Sequence, residues 1–182
     1  MPITIRIDEH TFVDVHDPVA TEGYYQGEVG KRGHAAETAP LSVEEIRELF
    51  LGKLVLDYDA VFCLTVTATR SPIFANATQA SFGILGSYRP IRQAAGNNSP
   101  FLMRVVDSKS LFAGQGIGAI EATRLIAADA GPGPIRERLA EVADHTWAYM
   151  LPRDLHYLRA RARKKGDRSV GLLSATLGTA LD

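Results

Sequence analysis

The sequence predicts an α/β fold: a mostly parallel sheet with helices on both faces, forming three layers, preceded by a small N-terminal β-hairpin. Two continuous apolar runs, AVFCLTV at 60–66 and FLMRVV at 101–106, are rich in β-branched and aromatic residues. Such runs belong to strands covered on both faces, the usual state of a parallel sheet. Around them lie segments of helical period, and this alternation of helix and strand is the pattern of a layered α/β domain.

In chain order, ITIRI and TFVDV alternate apolar and polar residues about a polar DEH, which reads as a hairpin. A helix is expected near TEGYYQGEV, weakened by Gly23 and Gly27, followed by a loop-like connector, GKRGHAAETAP. In LSVEEIRELF, Ser42 can cap a helix while Glu45 reaches back to it and Leu41 packs on Ile46, a capping box with a hydrophobic staple. Ile46, Leu49, Phe50 and Leu54 then recur at helical spacing and are expected to face a core. Beyond the first apolar strand, Ile73, Ala77, Ala80 and Ile84 mark one helix face, and GSYRPIRQAAGNNSP reads as a loop or broken helix. A long small-residue helix is expected from Leu111 to about Ala130. A shorter one follows from Pro134 to about His145, with Ile135, Leu139 and Val142 on one face. WAYML reads as a last strand, followed by a helix from Asp154.

Composition bounds the function classes. The 182 residues are 46% hydrophobic and 23% charged with a formal net charge of -1, which suits one ordinary globular domain and gives no global sign of nucleic-acid binding. No stretch approaches the ~20 apolar residues of a membrane helix. The opening MPITIRIDEH has no long apolar core of a signal peptide, so a cytoplasmic location is expected. The single cysteine, Cys63, sits inside an apolar run and reads as a buried hydrophobe. The five histidines form no paired or clustered ligand spacing, so no metal or other cofactor is expected. No GxSxG elbow supports covalent hydrolysis.

The segment TATRSPIFANA, directly behind the first apolar strand, is the leading site candidate, because ligands gather at the carboxyl ends of strands in open α/β sheets. Ser71 followed by Pro72 fits an N-cap and a first helical residue. The amides of Ile73 and Phe74 would then be free to hold the Ser71 oxygen or an anion. Thr67 and Thr69, two residues apart, would face the same way. These residues alone leave both a plain cap and an anion site open. The glycines of GQGIGA fall inside a helix rather than at a tight turn, so close helix packing by Gly114, Gly118 and Ala122 explains them better than a nucleotide does. The basic run Arg159, Arg161, Arg163, Lys164, Lys165 and Arg168 reads as a solvated helix end or as a patch for phosphates or an acidic surface.

Several segments, in order, resemble the DegV family of bacterial fatty-acid-binding proteins. LTVTATRSPIFANA stands where that family has an apolar strand and a Ser-Gly-Thr-Tyr type turn, and ETAPLS is similar to its Thr-Ser-Gln-Pro-Ser type segment. RVVDSKSLFAGQGIGAIEATRL is similar to its Val-Ile-Asp-Ser-Arg-Ser strand end and small-residue helix, and LHYLRARARKKGDRSVGLLSATLG to its Tyr-Leu, Gly-Gly-Arg and Leu-Leu-Gly sequence. The resemblance implies a single DegV-like α/β domain over 1–182, incomplete relative to the family. It also implies a long-chain fatty acid such as palmitate as ligand, with no catalysis by the protein itself. Its carboxylate would be held by hydroxyls at Thr38 and Ser71, with Thr69, Ile73 and Phe74 completing the turn. A fatty-acid kinase is the implied partner, with Arg168 and Lys165 serving its docking.

Pro72 and Ile73 depart from the family's glycine and threonine, which removes one amide and one hydroxyl from the turn. The family's β-rich closing portion is not matched, so a second subunit is expected to cover the site as a homodimer, or affinity is low. Two alternatives stand beside this reading: a degenerate structural or regulatory subunit without ligand, and a binder of nucleic acid or an acidic surface through residues 159–168.

Overall fold

The computed structural model describes residues 2–7, 9–15, 17–29 and 36–149, together with Arg159, Ala162 and Arg163. The chain divides into two compact units, Met1–Pro40 with Tyr149–Asp182, and Leu41–Ala148.

In the first unit, alternation produces the expected hairpin. Strand β1 (Ile3–Ile7) pairs antiparallel with β2 (His10–Asp14), Ile5 opposite Phe12. Helix α1 (Pro18–Tyr24) starts a turn earlier than its sequence suggested, because Asp17 accepts from the Val19 amide at 3.1 Å and Pro18 suits the first helical turn. It continues as a π-helical turn, Tyr25–Val29. Tyr24 meets Phe12 edge to face at 5.3 Å, and both line a cavity of about 340 Å³ together with Ile5 and Val13. The connector contains a third strand, β3 (Glu37–Ala39), which pairs antiparallel with β1. The sheet order is β2-β1-β3.

The second unit carries the predicted α/β layers. Strands β4 (Ala60–Thr65) and β5 (Leu102–Asp107) are parallel, in register from Ala60 opposite Leu102 to Thr65 opposite Asp107. Strand alternation sends Val61, Cys63 and Val105 into one apolar cluster, and Phe62, Leu64 and Val106 into another. The first cluster is filled by α2 (Val43–Leu49, continued by a π-helical turn Phe50–Leu54 and a last turn Val55–Asp57) and α3 (Ile73–Gly83). Tyr88, from the short helix α4 (Tyr88–Ala94), joins it. The second cluster belongs to α5 (Gly114–Ala127) and α6 (Pro132–Asp144), through Ala122, Ile135 and Leu139. Burial of each large side chain here contributes about 1.5–3 kcal/mol.

Three expectations need correction. Leu49 does not face the core: Ile46 and Phe50 are buried on the regular part of α2, and Leu49, beside them on the edge of that face, is exposed, while the π-helical turn that follows carries the buried face on to Val55. The segment after Gly86, read as a loop or broken helix, forms the short helix α4, which buries Arg92. That guanidinium donates to the carbonyls of Val55 (2.6 Å), Tyr58 (2.7 Å) and Ser99 (2.9 Å) and pairs with Asp59. The arginine thereby satisfies backbone acceptors where α2 ends and β4 begins. The long helix is shorter than expected, because Leu111 to Ala113 form a turn before Gly114. Thr146 to Tyr149 form no strand; Trp147 and Tyr149 are exposed in an irregular segment. The helix expected from Asp154 falls largely outside the described residues.

Close packing accounts for two of the three glycines of α5, Gly114 and Gly118. A β-carbon on Gly118 would lie 2.9 Å from Leu64 Cδ2, and one on Gly114 only 1.9 Å from Ser110 Oγ. Gly114 and Gly118 let α5 sit directly on β4 and on the loop after β5. This is helix packing, as their placement inside the helix suggested, and leaves no tight turn for a pyrophosphate.

Candidate functional site

Parallel strands β4 and β5 end side by side at Thr65 and Asp107, so the turns that follow them meet at the carboxyl edge of the sheet. The turn after β4 holds Thr67, Thr69 and Ser71. Thr67 and Thr69 bring their hydroxyls to 3.1 Å of each other. They do so in a turn, not on a strand, because β4 stops at Thr65. Arg70 donates its amide to the Thr67 carbonyl at 3.0 Å, closing that turn.

Helical bonding starts one residue later than expected. Pro72 occupies the N-cap position with helical backbone angles, φ -72 and ψ -1, and its carbonyl accepts from the Asn76 amide at 2.9 Å. Ser71 nonetheless caps in the chemical sense, since its Oγ accepts from the Ile73 amide at 3.3 Å. Its own proton has no acceptor among the described residues, and the Phe74 amide makes no hydrogen bond among them. Three donors therefore remain at the start of α3, the Ser71 hydroxyl and the Phe74 and Ala75 amides, neither amide being hydrogen-bonded among the described residues, at the positive end of a helix dipole. Ser71, Ile73 and Phe74 are half-buried and Thr69 is exposed.

Thr38 is exposed on β3 opposite Ile5, within the first unit. Arg168 and Lys165 lie outside the described residues. The structure thus brings together Thr69, Ser71, Ile73 and Phe74 of the expected set.

Sequence reading missed the groups that hold this turn from behind. Asp107, last residue of β5, accepts from the Ala68 amide with both carboxylate oxygens at 3.3 and 3.2 Å, and from the Lys109 amide at 2.9 Å. The Thr67 amide donates to the Ser110 carbonyl at 3.0 Å. Ser108 and Ser110 are buried, and Ser108 Oγ accepts the Ser110 amide at 3.2 Å. Lys109 takes a left-handed conformation, φ 53, and its ammonium pairs with Asp144 of α6. That hydrogen-bonded pair raises the Lys109 pKa and lowers that of Asp144. The available signal was DSKS standing at a strand end beside a parallel neighbour. Cys63 is no part of this site; burial pushes its thiol pKa up, away from the reactive thiolate.

A family model described as "Uncharacterised protein, DegV family" matches residues 1–182. The chain belongs to the DegV family. A DegV domain-containing protein of Xanthomonas campestris pv. campestris is 60% identical over 182 residues, all of this chain and 58% of that protein. The chain therefore spans little more than half the length of this DegV relative. Among solved structures, a DegV family protein of Ruminococcus gnavus with vaccenic acid is similar at TM-score 0.70 and 17% identity, over 95% of this chain and 56% of the other. The Streptococcus pneumoniae fatty acid kinase B3 protein, loaded with linoleic acid, is similar at TM-score 0.58 and 18% identity, over 79% and 45%. These likenesses establish the DegV α/β fold that the sequence predicted.

Proposed function

We propose that this protein binds a long-chain fatty acid and holds its carboxylate at the turn of residues 67–74. The observation that carries the reading is the set of unspent donors at the start of α3. The Ser71 hydroxyl and the Phe74 amide stand at the carboxyl edge of the sheet, in a family with members crystallised with fatty acids. A carboxylate accepts charge-assisted hydrogen bonds from such donors and is favoured by the helix dipole. Pro72 supplies no amide, so the turn offers three donors where a glycine would leave four.

Hydroxyls and amides of this kind orient a carboxylate and carry out no bond-making step, so the protein acts as a binder and any chemistry on the acid belongs to a partner. The streptococcal relative named for a fatty acid kinase supports a kinase in that role. Lys165 and Arg168 are the candidate contacts to it, and Thr38 is a further candidate hydroxyl to be tested on its own. The reading includes both compact units acting as one DegV-like domain, a homodimer that covers the ligand, and a cytoplasmic location. Among the described residues no helix is long and apolar enough to cross a membrane.

Native mass spectrometry and lipid extraction of the purified protein test the proposal directly. A bound acyl chain, or uptake of added palmitate, is the expected result; neither being found refutes it. A second reading draws on one observation: the Ile73 amide is already taken by Ser71, as in a plain cap. In that case the protein is a ligand-free member of its family, and palmitate leaves its melting temperature unmoved.

A further inference from the structure

We infer that Asp107 is a positioning residue for the carboxylate-binding turn, an inference that rests on the function proposed above. The argument starts where strand pairing ends. Beyond Thr65 and Asp107 no ladder bond holds residues 66–72, yet the Ser71 hydroxyl must be set to within a fraction of an ångström to reach a ligand oxygen. Two consecutive amides of the turn are gripped from the β5 side. Thr67 donates to the Ser110 carbonyl at 3.0 Å, and Ala68 donates to the Asp107 carboxylate at 3.2 Å. Of these two anchors only Asp107 acts through a side chain. Its Oδ1 also accepts the Lys109 amide at 2.9 Å, which ties the carboxylate to its own loop and fixes its direction.

A bare carboxylate at this edge would repel a fatty-acid headgroup. Aimed at backbone amides, it becomes the support of the turn that receives one. A carboxylate suits this better than a neutral acceptor, since two oxygens can serve two amides at once and charged acceptors bind more strongly.

The test compares Asp107→Ala, Asp107→Asn and Ser71→Ala, alone and combined, in the full chain, by palmitate titration and amide hydrogen exchange. Asp107→Ala is expected to weaken palmitate binding roughly tenfold, the loss of about one charge-assisted hydrogen bond. Asp107→Asn keeps the shape and one acceptor oxygen and is expected to fall between wild type and alanine. In the Ser71→Ala background Asp107→Ala is expected to cost nothing further, because the group it positions is gone. Exchange at the Ala68 amide should accelerate in both Asp107 variants while exchange in the helical core stays slow. Palmitate affinity within twofold of wild type in Asp107→Ala overturns the inference, as do losses that multiply in the double variant. If Ser71→Ala loses palmitate and Asp107→Ala does not, the positioning role falls and the binding function stands. If the wild-type chain takes up no palmitate, the binding function falls and the positioning role with it.

Discussion

Ser42 and Ser71 each stand before a helix and spend their hydroxyls differently. Ser42 accepts from the Glu45 amide at 3.2 Å and donates to the Glu45 carboxylate at 2.7 Å, while that carboxylate also takes the Ser42 amide at 2.8 Å. Every group in this capping box has a local partner. Ser71 accepts from Ile73 at 3.3 Å and has no acceptor for its proton among the described residues. Pro72, following it, has no amide to offer, and the residue at the capping-box position after Ser71 is Phe74, which has no side chain able to reach back. A saturated cap is finished as structure. A cap with a free donor still has a hydrogen bond to give, and the difference is set by the residue three positions downstream.

The largest effect expected from disturbing this contrast is at Gly114, behind the Ser71 turn. A β-carbon there would sit 1.9 Å from Ser110 Oγ and 2.9 Å from Ser110 Cβ, so rotating the hydroxyl away does not relieve the clash. Ser110 is buried and its carbonyl holds Thr67, so the strain passes into the turn. Gly114→Ala is expected to cost about 2 kcal/mol by overpacking and to weaken palmitate binding as well. Denaturant unfolding and palmitate titration measure the two losses; an unchanged midpoint would show that α5 can shift to admit the methyl.

Next in size is the direct contest between the serines. Ser71→Ala is expected to weaken palmitate binding roughly tenfold while costing about 1 kcal/mol or less of stability. Ser42→Ala should cost about 1 kcal/mol of stability and leave palmitate affinity unchanged. Thermal melts with and without palmitate separate the two signatures. Equal behaviour of the two variants would mean that Ser71 is only a cap.

The contrast also explains which parts of the fold were legible beforehand. The capping box at Ser42 could be read because all its partners lie within three residues. The hairpin and the buried strands could be read because their periods are local. Leu49 was misplaced because it falls on the edge of the apolar stripe, and helical spacing does not say whether such an edge residue is covered by its tertiary neighbours. Strand β3, Glu-Thr-Ala, has no alternation of its own and exists through its pairing with β1. At the site, Ser71's bond to Ile73 spans two residues and was foreseen, whereas Asp107 grips Ala68 across 39 residues of sequence. The capping half of the turn was local chemistry, and its support was tertiary.

The smallest expected effect is a difference in acid sensitivity. Hydrogen bonds from the Ser42 amide and hydroxyl lower the Glu45 pKa below its ordinary value of 4.5. A depressed folded-state pKa means that the contribution of Glu45 is fully present above about pH 4.5. It fades as the pH falls through the lowered value and the carboxylate is protonated. Ser71 has no carboxylate partner, so its capping bond is indifferent over the same range. The stability gap between wild type and Ser42→Ala should therefore narrow as the pH drops below 4.5, while the gap for Ser71→Ala stays level. Urea midpoints taken between neutral pH and the onset of acid unfolding read both gaps. A Ser42 gap that holds constant into acid would mean that the cap draws on the Ser42 hydroxyl alone and takes nothing from the ionised Glu45.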